Sequence, residues 1–512
     1  MSIIPSYIAS IFQFNKNGIL LVLTFIGFFS EAQERKRIDI LQAGEMSYNE
    51  RIIVNAQRLI GNVILQHNDA LMYCDSAYSY TNTNMVDAFG NVHINQGDSI
   101  HLFADKVFYN GDISHARSIG NVRLQSEKAT LYTDTLDYDL DNKIGYYDDN
   151  GKIVDSLNVL TSVIGRFFVE QDLAYFYTDV KGEGEDYELY SDTLSYNIET
   201  GRILIESPTT IRDSVNILYA KDGWYDSETG HAFLVEDPVV FNDEQQIKGN
   251  IIEYYRETGE GYANGAVEIY DLKNRMIVLG EQANYNDISK TALVTDSAIL
   301  ILYSEEDSLF LHADTLRMVP DTIDSEKIVK AYWGVRFWRT NIQGLCDSLC
   351  YFTKDSTVQL YTDPILWSEN RQIIADYIEM KSNANAPDEI RMQNNSFIIS
   401  KHDTVMFDQI KGKNMIGYIR ENELFRIDVD GNGQTLYYAQ EDDEELIGLN
   451  KAESSKISIR FKDGEINKIA LISAPEGTLK PISQLSDPDR KLQGFIWKEE
   501  LRPISKHDIF RK

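Results

Sequence analysis

Carboxylates recur along this 512-residue chain at a nearly fixed count: Asp75, Asp105, Asp134, Asp192, Glu281, Asp314, Asp347 and Asp376, with Val163, Lys221 and Asn250 filling three further places in the series. Such a set could capture divalent cations. Calcium, however, takes about six to eight oxygens from one clustered loop, and here a single side chain arrives every 29 to 33 residues. Asp430-Gly431-Asn432-Gly433 resembles a calcium loop only superficially, because the later ligands and the closing glutamate do not follow in register. Glycoside hydrolysis needs two carboxylates gathered at one point, and an even spread supplies none. The eight histidines form no HExxH pair. Cys74, Cys346 and Cys350 are too few for a disulfide scaffold. In an extended strand, residues four apart lie ~13 Å from one another, too far for a Cys346–Cys350 bridge. These residues predict neither catalysis nor a metal or cofactor site.

The elements that carry the acids are more informative. Immediately before each anchor stands a small residue: Cys74, Ala104, Thr133, Ser162, Ser191, Ala220, Gly249, Gly280, Ala313, Cys346 and Ala375. Three before it stands an apolar one: Met72, Leu102, Leu131, Leu160, Leu189, Leu218, Ile247, Val278, Leu311 and Ile373, with Gly344 the exception. Residues two apart point to one side of a strand, so the apolar and small columns share a face and the anchors take the other, as outward or corner residues. Four after the anchor an aromatic recurs, as in Tyr109, Tyr138, Phe167, Tyr196, Tyr225, Tyr254, Tyr285 and Tyr351. An unbroken strand would put it beside the anchor, whereas a bend would reset its face.

The rest of each unit is read as a turn followed by a β-branched strand: Gly61-Asn62-Val63, Gly90-Asn91-Val92 and Gly120-Asn121-Val122 early, Pro208, Pro238, Gly334 and Pro364 later. Gly-Asn favours positive φ, and proline fixes φ at a strand entrance. Each unit then gives about two strands, and a fixed period of this size predicts an elongated stack. Thirty tyrosines, 22 phenylalanines and ten prolines favour β structure. A net charge of −31 excludes nucleic acid as a partner, since binding it needs a basic footprint, and otherwise serves solubility.

Residues 1–32 read as a signal peptide, with Lys16 before the apolar run Gly18 to Phe29 and Ser30-Glu31-Ala32 at the cleavage point. A retained anchor is the alternative, although the run is short of the ~20 residues a span needs. Repeats are expected over 33–300 and again over 301–474, degenerate after about 380, with an extended tail over 475–512 that caps the stack or docks elsewhere. Asp321 to Ser325 reads as an inserted loop, Glu441 to Glu445 as a solvated acidic loop, and Asp463-Gly464 as a hairpin turn.

The Gly-Asn-Val and Leu-x-Ala-Asp-x-x-x-Tyr signature, clearest over 86–109 and 119–138 and again at Gly344 to Tyr351 and Ile374-Ala375-Asp376, resembles the OstA-like family. That family includes periplasmic lipopolysaccharide-transport bridge proteins and the periplasmic part of the outer-membrane lipopolysaccharide translocon. The length and tyrosine-rich style are similar to its long Bacteroidetes-type members. The resemblance implies an all-β fold, an elongated β-jellyroll (β-taco), with two or three jellyroll segments in tandem as an open alternative. With one coil per unit at ~4.8 Å, eleven units would extend ~50 Å.

The resemblance further implies a non-enzymatic periplasmic carrier, without cofactor, associated with transport toward the outer membrane. Lipopolysaccharide or a related acyl lipid would be its cargo, and other β-jellyroll transport proteins would join it end to end by strand addition. The candidate groove-lining residues are Leu102, Ala104, Leu131, Leu160, Leu189, Leu218, Ala220, Ile247, Leu311, Ala313, Ile373 and Ala375. On the residues alone, a closed core is the better reading of the same columns, and only the resemblance favours transport. A structural scaffold for outer-membrane assembly, binding partners by strand addition, is the second functional class.

Overall fold

In the computed structural model the described residues are 37–511, apart from 49–54, 305–306, 323–325, 384–385, 422, 441–445 and 463–464. The expected signal peptide, the acidic loop and the Asp463-Gly464 turn lie outside them, as does most of the Asp321 to Ser325 insertion. No α-helix occurs among the described residues. The described residues include thirty-eight β segments, which form one antiparallel sheet. Consecutive strands such as Gln57–His67, Ala70–Tyr80, Met85–Gln96, Ile100–Asn110 and His115–Gln125 pair as a meander, each with the next.

Every rung bends near its middle. Ile60 pairs with Ser76 and Val63 with Cys74, so Gly61 and Asn62 together oppose the single Asp75. Gly90-Asn91 and Gly120-Asn121 repeat the arrangement, with both members of each pair at positive φ. Two residues against one is a β-bulge, which kinks a strand and adds twist. The Gly-Asn pairs are therefore not the turns that local sequence suggests, because a bulge and a hairpin turn make the same demand on φ. The turns fall elsewhere, as at Asn68-Asp69 and Thr81 to Asn84. Asp430-Gly431-Asn432-Gly433, whose composition also favours a turn, is likewise a bulge, inside the strand Glu423–Gln440.

The bulges align into a crease that folds the sheet into two arms. Ten rungs are broken at the crease into two segments, as in Ile144–Tyr147 with Gly151–Val154, so the thirty-eight segments make twenty-eight rungs. Each repeat contributes two rungs rather than one coil. At ~4.8 Å per rung the stack extends roughly 130 Å, more than twice the ~50 Å expected from one coil per unit. Side chains inside the fold form one apolar core that runs from Leu59 to Ile459.

Residues 482–511 form a strap along the outside of one arm. It leaves the edge strand Glu476–Lys480 and runs back over earlier rungs to His312, whose ring meets Phe510 at 4.9 Å. Beneath it lies a second apolar cluster of Phe397, Ile399, Leu436, Tyr438, Leu449 and Leu492. Three buried glutamines grip it, two through its backbone and one through a side chain. Gln409 donates to Arg490 O and accepts from Leu492 N, both at 2.8 Å. Gln372 donates to Ile496 O at 2.8 Å and accepts from Lys498 N at 2.7 Å. Gln343 accepts from Arg502 Nε at 2.8 Å.

Candidate functional site

At the crease the anchors sit at corners facing solvent, as the alternation predicts. The first two anchors and the last are bonded to the next bulge: Asn91 donates to Asp75 and Asn121 to Asp105, both at 2.8 Å, and Asn395 to Asp376 at 3.1 Å. Where the anchor becomes Lys221, the bulge supplies Asp237 and the pair is inverted. The glycine beside Asn91 and Asn121 is required by geometry, whereas Asn394 takes that place beside Asn395. The glycine φ is near +80°, and a Cβ on Gly90 or Gly120 would come within 2.5 Å of the anchor carboxylate. The acids thus hold the bend, and no group of three or more ligand-type side chains able to hold a metal ion occurs among the described residues.

The bulge resets the alternation, so the aromatic column faces inward after all. Tyr138 packs between Ala116 and Gly145, and Tyr285 between Gly261 and Ala292, each on a neighbouring rung. Large rings fit only because their neighbours are small: a Cβ on Gly261 would overlap the Tyr285 ring. The small column lines the inner angle of the crease, where a Cβ on Gly280 would overlap Val294. Gly344, the gap in the apolar column, is filled by Phe337 from the neighbouring strand.

The twelve residues singled out from sequence, Leu102, Ala104, Leu131, Leu160, Leu189, Leu218, Ala220, Ile247, Leu311, Ala313, Ile373 and Ala375, all lie in this one core and are buried. In this conformation their space is taken by one another and by the facing arm. A hollow beneath Leu65, Met72 and Ile94 measures ≈ 10 Å³, room for about one water.

Opposite the crease, the free edges of the two arms meet in a seam. His67 Nδ1 lies 2.6 Å from Tyr109 Oη. Gln96 Nε2 donates to Leu140 O at 2.8 Å. Asn158 Nδ2 donates to Tyr196 Oη at 2.7 Å and to Ser227 Oγ at 2.8 Å, while Tyr187 donates to Asn158 Oδ1 at 2.6 Å and Tyr196 to Asp155 at 2.6 Å. Asn216 donates to Tyr254 Oη at 2.9 Å and to Asp287 at 2.5 Å. Further along, Lys327 pairs with the buried Asp271. Burial pushes the seam phenols Tyr109, Tyr196 and Tyr254 well above their ordinary pKa, so they remain protonated. Among the described residues, no strand pairing and no backbone–backbone hydrogen bond crosses this seam.

One column escaped the sequence reading. Two before the anchor stand Tyr73, Phe103, Tyr132, Thr161, Tyr190 and Tyr219, all on the outer face. In register beside them on the alternate rungs stand His93, Arg123, Lys152 and Lys181. Its signal was present in the period: aromatics recurring on a face that the core does not need.

Residues 35–192 match a protein family described as OstA-like protein. This region belongs to the OstA-like family. No curated protein matches the chain. The OstA-like region ends within the strand Glu188–Asn197, yet the same crease, columns and register continue beyond it to the strand Leu446–Lys462. As a family, OstA-like proteins serve lipopolysaccharide transport in general and are transport and binding proteins rather than enzymes. No helix among the described residues is long and apolar enough to cross a membrane.

Proposed function

We propose that this chain carries the acyl chains of lipopolysaccharide or a related lipid toward the outer membrane, taking them into its interior by parting the seam. The observation that carries this reading is the contrast between the two long edges of the fold. The crease is continuous backbone, whereas every hydrogen bond across the seam among the described residues uses at least one side chain, above an apolar interior without a break. Parting it sacrifices polar side-chain contacts of about 0.5–1.5 kcal/mol each, and each methylene taken in returns ~0.8 kcal/mol. The closed state is then the resting form of a carrier. The twelve buried residues named above would line the opened track, and the signal-like N-terminus is consistent with a periplasmic site of action.

A photo-crosslinking side chain at Leu131 or Leu218 is expected to capture lipid when the protein is isolated from its native envelope. Capture from Asp105 or Asp134 at the crease, with none from the interior, would rule the reading out.

A second reading, an assembly scaffold, is favoured by the ends of the stack. Asp39–Gln42 and Glu45–Tyr48 form the first edge, and Glu465–Ile472 and Glu476–Lys480 the last, each split as the inner rungs are. Such edges suit strand addition by another jellyroll protein. Co-purification of proteins without lipid would favour this reading over transport.

A further inference from the structure

The outer lane beside the crease is aromatic and basic on a face that the core does not need. Tyr73, His93, Phe103, Arg123, Tyr132, Lys152, Thr161, Lys181 and Tyr190 follow one another in register across nine successive rungs. Two of the cations pack on a neighbouring ring. The His93 and Phe103 rings stack at 4.3 Å, the Arg123 guanidinium lies 4.2 Å from the Phe103 centroid, and Lys152 Nζ lies 5.5 Å from that of Tyr132. Tyr132 and Tyr190 are 41% and 47% exposed, far more than their inward counterparts.

Acids outnumber bases 80 to 49 in this chain, and cations nearby are paired, as Arg117 is with Asp137, Lys128 with Asp172 and Lys143 with Glu170. Arg123, Lys152 and Lys181 make no ion pair among the described residues. Successive members are two rungs apart, about 9–10 Å. Between this lane and the crease lie two adjoining hollows of ≈ 650 and ≈ 420 Å³ that share Tyr132 and Asn150. Asp134, Asp149 and Asp179 line them.

We propose that this lane binds an acidic saccharide chain lying along the stack, at a site separate from the acyl interior and independent of that reading. The three cations would take its anionic groups and the carboxylates in the hollows would accept its hydroxyls. The alternation selects the ligand. A charge on every second sugar ring matches a cation on every second rung. A densely charged polyanion would meet the interleaved carboxylates and the net charge of −31.

The test is calorimetric titration of the full chain with a hyaluronan decasaccharide, whose charge falls on alternate rings, beside a heparin decasaccharide and a neutral chitin oligomer. Saturable binding of hyaluronan that weakens with salt, falls at least ten-fold in an Arg123→Ala, Lys152→Ala double variant and is unchanged in Arg166→Ala is the expected result. Arg166 is a cation over the Tyr146 ring on the other arm, so it controls for a ring-stacked charge outside the lane. An unchanged melting temperature in the double variant will show that the fold is intact. No saturable binding of hyaluronan, equal binding by the double variant, equal binding of the neutral oligomer, or tighter binding of heparin would each overturn the proposal.

Discussion

At the scale of single residues, hydrogen-bond satisfaction separates side chains that look alike in the sequence. Tyr196 and Tyr285 occupy the same column, yet Tyr196 accepts from Asn158 and donates to Asp155, whereas the Tyr285 hydroxyl is buried without a hydrogen-bond partner among the described residues. Tyr196→Phe is expected to lose about 1–3 kcal/mol, and Tyr285→Phe to gain stability by shedding a desolvated hydroxyl. Thermal unfolding of the two variants checks this, and shifts of the same sign would contradict it. Much at this scale was legible beforehand: the inward Leu and Ala columns and the outward anchors both follow from period and alternation. The inward turn of the tyrosines was not, since it depends on a bulge that adds one residue to the count.

At the scale of elements, the bulge and the strap mark what local sequence conceals. Gly-Asn specifies positive φ, and only long-range pairing decides whether that becomes a turn or a crease. The strap is held by isolated glutamines whose partners are backbone atoms more than 80 residues away, a relation without any sequence signature. Gln372→Ala leaves Ile496 O and Lys498 N without their partner. It should speed amide hydrogen exchange across 490–502 while the interior strand Ile100–Asn110 stays protected. Equal acceleration in both would show that the strap is part of the global core.

The seam makes a pH prediction of definite sign. Burial raises the Asp271 pKa, but the bonds from Lys327 and Asn274 outweigh it and leave the carboxyl below its ordinary 3.8. A depressed carboxyl contributes stability above its unfolded pKa and loses it as pH falls through the folded value. Lys327→Ala should therefore cost about 3–5 kcal/mol near neutrality, as breaking a buried pair does. The gap to wild type should close as pH drops below 3.8. Asp287 runs the other way. Burial raises its pKa, so Asp287→Asn should stabilise the fold at neutral pH, with the gain vanishing in acid. Chemical denaturation across pH checks both signs.

At the scale of the whole molecule, a folded meander of twenty-eight rungs has one covalent edge, one edge closed by side chains, and two open ends. The sequence columns predict the stack and its continuous apolar interior. They cannot separate an open groove from a closed core, because both need the same alternation, and they undercount the rungs because each strand crosses both arms. If the seam is a lip that parts for acyl chains, its two sides must separate when lipid enters, while distances within one arm stay fixed. Spin labels at Lys128 and Asp172, whose side chains meet across the seam at 2.8 Å, report this directly. The account predicts that adding lipopolysaccharide lengthens the Lys128–Asp172 label distance and leaves a Tyr132–Lys181 pair on one arm unchanged. Bound lipid with an unaltered seam distance would contradict it.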